Sequence, residues 1–156
     1  MVRQAQELYS SWEGGEGPEK AVAAEPFSPT VITREKDIEQ LHISIGFPAC
    51  KIGDFDVFPT SIFNSVLGGA MSSRLFQKIR EENGMAYSVY SYPSFYTASG
   101  MVTIYAGTSV QHAPAVMKFI DEEISVLLRD GLTRDEFEQT RTQLKGSYVL
   151  GQESAS

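Results

Sequence analysis

Polar and apolar residues alternate from Gln40 to Phe47. Leu41, Ile43, Ile45 and Phe47 share one parity; Gln40, His42, Ser44 and Gly46 share the other. A period of two predicts a strand with one buried face. Pro48 lacks a backbone donor and is expected to end it. Residues 86–92 read as a second strand, dense in tyrosine, and 93–99 as a turn region. Residues 100–107 alternate again, with Met101, Thr103 and Tyr105 against Val102, Ile104 and Ala106. Two strands with so short a connection predict an antiparallel hairpin.

Elsewhere the apolar period lengthens to that of a helix. Asp54 is read as the opening of a first helix with the stripe Phe55, Phe58, Ile62, Val66 and Leu67, stopped by Gly68-Gly69. Pro59 falls inside that pattern. Either the helix begins near Pro59, in the first turn where proline is tolerated, or a turn precedes it. Ser72 or Ser73 is expected to cap a second helix with Leu75, Phe76 and Ile79 inward, and Asn83-Gly84 to supply a left-handed stop. A third helix enters through Ala113-Pro114, carries Val116, Met117, Ile120, Ile124, Leu127 and Leu128, and ends at Gly131. The fourth starts with a capping box, Thr133 and Glu136, and marks its inner face with Phe137, Gln139 or Thr140, Leu144 and Tyr148. The order strand, helix, helix, strand, strand, helix, helix predicts an α+β fold: a mostly antiparallel sheet with helices packed on one face.

The ends read differently. Residues 1–12 hold a short helical stripe, Ala5, Leu8, Tyr9 and Trp12. It is too short to stand alone in water, and a frayed end or the last helix of a preceding domain fits it equally. Residues 13–33 read as a linker, rich at first in Gly, Pro, Ala and Glu and lacking periodicity. Residues 34–156 form the α+β domain. It is expected to be incomplete, because the fourth helix is still running near Val149 and no further element follows.

Composition narrows the function classes. Lys and Arg number 13 against 20 Asp and Glu, a formal charge of −7. That balance speaks against nucleic acid and against docking on anionic membranes, both of which need clustered cations. No apolar run approaches the roughly 20 residues that span a bilayer, and Met1-Val2-Arg3-Gln4 opens no signal-peptide core. A soluble piece is expected, with the cytoplasm as its compartment. Cys50 is the single cysteine, so no intrachain disulfide can form, and its reading is a small packing residue.

The chemistry is sparse. His42 and His112 are far apart, and there is no His-Glu-x-x-His, His-x-x-Glu-His or Cys-x-x-Cys, so no metal site is expected in this chain. Gly68-Gly69-Ala70-Met71-Ser72-Ser73 lacks the Gly-Lys-Ser/Thr ending of a phosphate loop. Five tyrosines lie between Tyr87 and Tyr105, and sheet packing is the simplest account of them. One constellation stands apart: Arg80-Glu-Glu-Asn-Gly-Met-Ala-Tyr87. Arg80 is near a helix end, Gly84 turns the chain, and Tyr87 begins a strand, so both long side chains can point into one region. A guanidinium and a phenol there would bind a carboxylate or carbonyl and support a developing oxyanion. Residue chemistry alone favours the plainer account, a helix-end arginine beside a packed tyrosine.

The run from Gly68 to Ser91, with Gly-Gly, Ser-Ser-Arg-Leu-Phe, Arg-Glu and Gly-x-Ala-Tyr-Ser, resembles the insulinase/pitrilysin family of zinc peptidases, in particular its processing-peptidase-like branch. Glu39-Gln40-x-His42-Ile-x-Ile-Gly46, Gly131-Leu-Thr-x-x-Glu136-Phe and Leu144-Lys-Gly-Ser147 resemble its flanking segments, so the likeness covers roughly residues 34–153. The resemblance implies two similar α+β halves closing around an extended peptide. In such a clamshell the first half holds zinc, and the second supplies an Arg and a Tyr seven apart, matched here by Arg80 and Tyr87. Arg80 would hold substrate backbone or carboxylate, Tyr87 would support the tetrahedral intermediate, and Gly68 and Gly69 would form a substrate-adjacent loop. This chain would then be a piece of the second half, inactive alone, without zinc of its own. Its partners would be the peptide and the missing half or a paired subunit. Apolar surface left at an incomplete edge would also favour a homodimer. A non-catalytic scaffold or partner subunit of the same fold is the other reading.

Overall fold

The computed structural model describes residues 2–10, 24 and 26–153. Helix α1 spans Val2–Tyr9, and Leu8 and Tyr9 on it are exposed. Most of the expected linker, residues 13–23 and 25, lies outside the described residues, as does Trp12. Residues 26–36 are neither helix nor strand.

Three strands, β1 (Leu41–Ala49), β2 (Ala86–Phe95) and β3 (Gly100–Thr108), form an antiparallel sheet in the order β1-β3-β2. The expected hairpin is β2–β3, closed by a bond from the Tyr96 N–H to the Ser99 carbonyl. Both expected strand stops were too early. Pro48 lies within β1 opposite Met101, and Pro93 within β2 opposite Val102. The reason is strand order: each proline sits on an edge strand, where a missing donor is tolerated, and the central β3 has none.

Helix α2 (Val57–Asn64) starts after Asp56, with Pro59 in its first turn. The Phe55 and Phe58 part of its predicted stripe is overturned: they are 94% and 74% exposed. A turn over residues 51–56 shifts the helix start; Phe63 turns inward in their place, while Val66 and Leu67 are buried as the stripe implied. α2 continues as a π-helical turn, Ser65–Gly69. A second π-helical segment, Phe76–Glu82, follows one short helical step at Arg74 and Leu75. The Ser73 carbonyl accepts the Gln77 N–H, but its buried hydroxyl has no partner among the described residues, so the expected side-chain cap is not made. Gly84 (φ 59°) and Gly131 (φ 73°) are the left-handed stops, as their positions imply.

Helices α3 (Ala113–Asp130) and α4 (Arg134–Glu153) complete the chain. Leu75, Ile79, Ile104, Ala106, Val116 and Ile120 anchor the core between the helices and one face of the sheet. The inner face of α4 is narrower than its pattern implied. Thr140 is buried and Leu144 partly so, whereas Tyr148 is 70% exposed. The fold is α+β, with the helices on one side of the sheet, as the element order requires.

Candidate functional site

The geometry begins at Gly68. A Cβ there would come within 2.7 Å of the Ser91 backbone nitrogen. Only glycine lets the π-helical turn approach β2 so closely. The contact is held by two bonds: Asn64 Nδ2 donates to the Ser91 carbonyl, and Ser91 Oγ donates to the Asn64 carbonyl, both at 3.3 Å. Neither Gly68 nor Gly69 has positive φ, so close approach, not a left-handed turn, explains the pair.

This packing leaves an open hollow of about 310 Å³, lined by Gly68, Gly69, Phe76, Arg80, Ser88 and Tyr90 among others. Arg80 is exposed on its rim, with the guanidinium carbon 5.0 Å from the Phe76 ring centre. Among the described residues its N–H donors meet no carboxylate. The sequence-predicted Gly68, Gly69 and Arg80 are thus brought together. Tyr87 is not in this group. It sits at a β-bulge between Ala86 and Ser88, is 65% exposed, and lines a separate hollow of about 130 Å³ with Ser109 and His112. No hydrogen bond joins Arg80 to Tyr87.

A second arginine, Arg74, was not singled out by sequence reasoning. Its Nε and one terminal nitrogen donate to the two Glu136 carboxylate oxygens at 2.7 and 2.9 Å, and Glu123 lies 4.0 Å away. Glu136 also closes the capping box: the N–H and hydroxyl of Thr133 each reach it at 2.8 Å. The Arg74 bonds, then those from Thr133, hold the Glu136 carboxyl at about 2, below its ordinary 4.5, against the opposing effect of burial. The same pairing raises Arg74. This clasp ties the start of the Arg80-bearing segment to α4. Its signal was available, since it joins Ser-Ser-Arg74-Leu-Phe to Gly-Leu-Thr-x-x-Glu136, but nothing local says that the two meet across 62 positions.

The residues present do not fit a catalytic zinc. His42 Nδ1 is 2.6 Å from the Tyr105 hydroxyl, and His112 opens α3 on another side. Among the described residues no three His, Cys, Asp or Glu side chains gather. Cys50 is half-buried with its sulfur 3.6 Å from Thr60 Oγ1. No helix among the described residues is long and apolar enough to cross a membrane.

Residues 1–144 match the family model described as "Peptidase M16 inactive domain". Over its whole length the chain is 39% identical to "Uncharacterized zinc protease YmxG" of Bacillus subtilis, covering 38% of that protein. It is 35% identical to "Uncharacterized zinc protease SCO5738" of Streptomyces coelicolor over 98% of this chain and 35% of that one. The chain therefore spans somewhat over a third of these relatives. Among solved structures, a conserved protein from Enterococcus faecalis superposes with a TM-score of 0.76 at 26% identity, over 90% of this chain and 33% of that one. A peptidase M16 inactive domain from Pseudomonas fluorescens gives 0.67 at 26% identity, over 74% and 29%.

Proposed function

The chain belongs to the peptidase M16 inactive-domain family, and on that premise we propose that it is the substrate-binding C-terminal-half domain of a zinc-dependent metalloendopeptidase. A separate half, or a paired subunit, would hold the zinc and supply the water that attacks the peptide. The observation that carries this reading is Arg80: an exposed guanidinium, paired with no carboxylate among the described residues, on the rim of a hollow floored by Gly68 and Gly69. The planar fork of donors suits a main-chain carbonyl or carboxylate of an extended peptide. Tyr87, freed from the ladder by the bulge, offers its phenol to the tetrahedral intermediate. Because the two residues line different hollows, the peptide would lie across both. The family relatives named as zinc proteases support the metal's place in the other half.

The test uses the full-length protein with both halves and zinc. Arg80→Ala and Tyr87→Phe should each lower kcat about 100-fold, with little change in KM. Rates within a factor of about two of the unmodified enzyme would refute the assigned roles. A second reading is a non-catalytic partner subunit of the same fold. It would be upheld if the zinc-loaded full-length protein cut no peptide alone but accelerated a metal-bearing partner.

A further inference from the structure

The run of tyrosines is almost unused by this reading. The register places Tyr90 opposite Tyr105, and Tyr105 opposite Ser44, on the face of the sheet turned away from Ile104 and the helices. Ring centres there are 6.1 Å apart for Tyr92 and Tyr90, 4.9 Å for Tyr90 and Tyr105, and 5.9 Å for Tyr105 and His42. Successive planes are inclined by only 30–35°. The result is one row of π faces across all three strands. His42 fixes its far end through the 2.6 Å contact with the Tyr105 hydroxyl. Tyr90, inside the row between Tyr92 and Tyr105, also lines the Arg80 hollow.

Two further features bear on what lies on this row. Thr103 shares the face, between Gly46 and Tyr92, yet it is 3% exposed and its hydroxyl has no partner among the described residues. A buried hydroxyl left unbonded is costly, but neighbouring side chains cover this one, so it offers no contact to a bound peptide. Gly107 lets side chains close in beside the ring, since a Cβ would come within 3.0 Å of Ser88 Oγ and 3.3 Å of the Tyr105 hydroxyl. A cation in the adjoining hollow and π faces along the row match a peptide main chain carrying an aromatic side chain.

We propose that Tyr90, Tyr105 and His42 form a specificity subsite for an aromatic side chain of the extended peptide that Arg80 holds. The inference rests on the substrate-binding reading above. The rings meet the incoming side chain in offset contact, and His42 positions Tyr105 for it. The subsite selects among peptides and takes no part in bond cleavage.

Fluorescent peptides differing at one position, Phe, Leu or Lys, would be titrated by anisotropy into the full-length protein, with a chelator present to prevent turnover. The Phe peptide should bind roughly 10-fold tighter than the Leu peptide. Tyr90→Leu and Tyr105→Leu should erase that preference, so that each variant binds the Phe and Leu peptides equally. Tyr105→Phe keeps the ring and loses only the hydroxyl, so it folds like the unmodified protein and should retain part of the preference. Equal binding of all three peptides, or equal weakening of all three in both leucine variants, would overturn the proposal. So would a dimer in sedimentation that Tyr90→Leu dissolves without touching peptide affinity, since the face would then join two copies. Zinc-loaded protein that cleaves with no preference for Phe sinks the subsite alone. A Phe preference in binding with no cleavage sinks the peptidase reading and upholds the subsite.

Discussion

Arg74 and Arg80 stand six positions apart at the two ends of one helical segment, and they live in opposite surroundings. Arg74 is mostly covered, bonded twice to Glu136 and close to Glu123. Arg80 is exposed, rests on the Phe76 ring and pairs with no acid among the described residues. A guanidinium whose donors are consumed inside the protein holds structure. One whose donors remain unclaimed beside a hollow is available to a ligand. On the proposed reading, the same residue type on one segment is divided between scaffold and site by the position of a single partner carboxylate.

Breaking the clasp should have the largest effect. Arg74→Ala strands Glu136 in a half-covered position and should cost about 3 kcal/mol. For a chain of this size that lowers the melting temperature by several degrees, about 6–10 °C. Loss of less than about 0.5 kcal/mol would mean that the clasp is no firmer than a surface pair. Gly68→Ala comes next, at about 2 kcal/mol, because the new methyl meets the Ser91 backbone rather than a flexible side chain. Chemical denaturation reads it directly, and a neutral result would disprove the close approach.

The acid response sharpens the comparison further. Glu136 has a folded value of about 2 against an ordinary 4.5, so its contribution is fully present above pH 4.5 and is lost as pH falls towards 2. Allowing for solvent screening, the loss is about 1 kcal/mol. Arg74→Ala should remove most of this acid sensitivity, and an unchanged pH profile in that variant would assign it to other carboxylates. The smallest effect belongs to Arg80→Ala, which should alter stability by less than about 0.5 kcal/mol while carrying the loss of turnover stated above. A large destabilisation would place Arg80 with Arg74 in the scaffold.

Much of the fold was legible because it rests on local periodicity. Ile43 and Ile45, the β2–β3 hairpin, and the α3 positions Val116, Ile120 and Leu127 all turn inward as their spacing requires. The capping box of Thr133 and Glu136 forms as written. Phe55 and Phe58 were misread because hydrophobicity there continues through a turn, and only the start at Val57 sets which side faces the core. Pro48 and Pro93 were misread because their tolerance depends on whether a strand lies at an edge. For the candidate site, the spacing paired Arg80 with Tyr87, but Tyr87 opens elsewhere because a bulge turned it, and only the fold sets Arg80 beside Gly68 and Gly69.

The amino-acid sequence by itself determined the order of elements, the glycine stops at Gly84 and Gly131, the acidic charge and the absence of a zinc motif in these residues. Tertiary structure alone decided which arginine is consumed by Glu136, that Tyr90, Tyr105 and His42 form one row, and that Thr103 lies covered without a partner. The division has a physical cause. Helix and strand periods, caps and turns are set by neighbours within a few positions, whereas pairing, burial and unmet hydrogen bonds are set by strand register and by contacts across tens of residues.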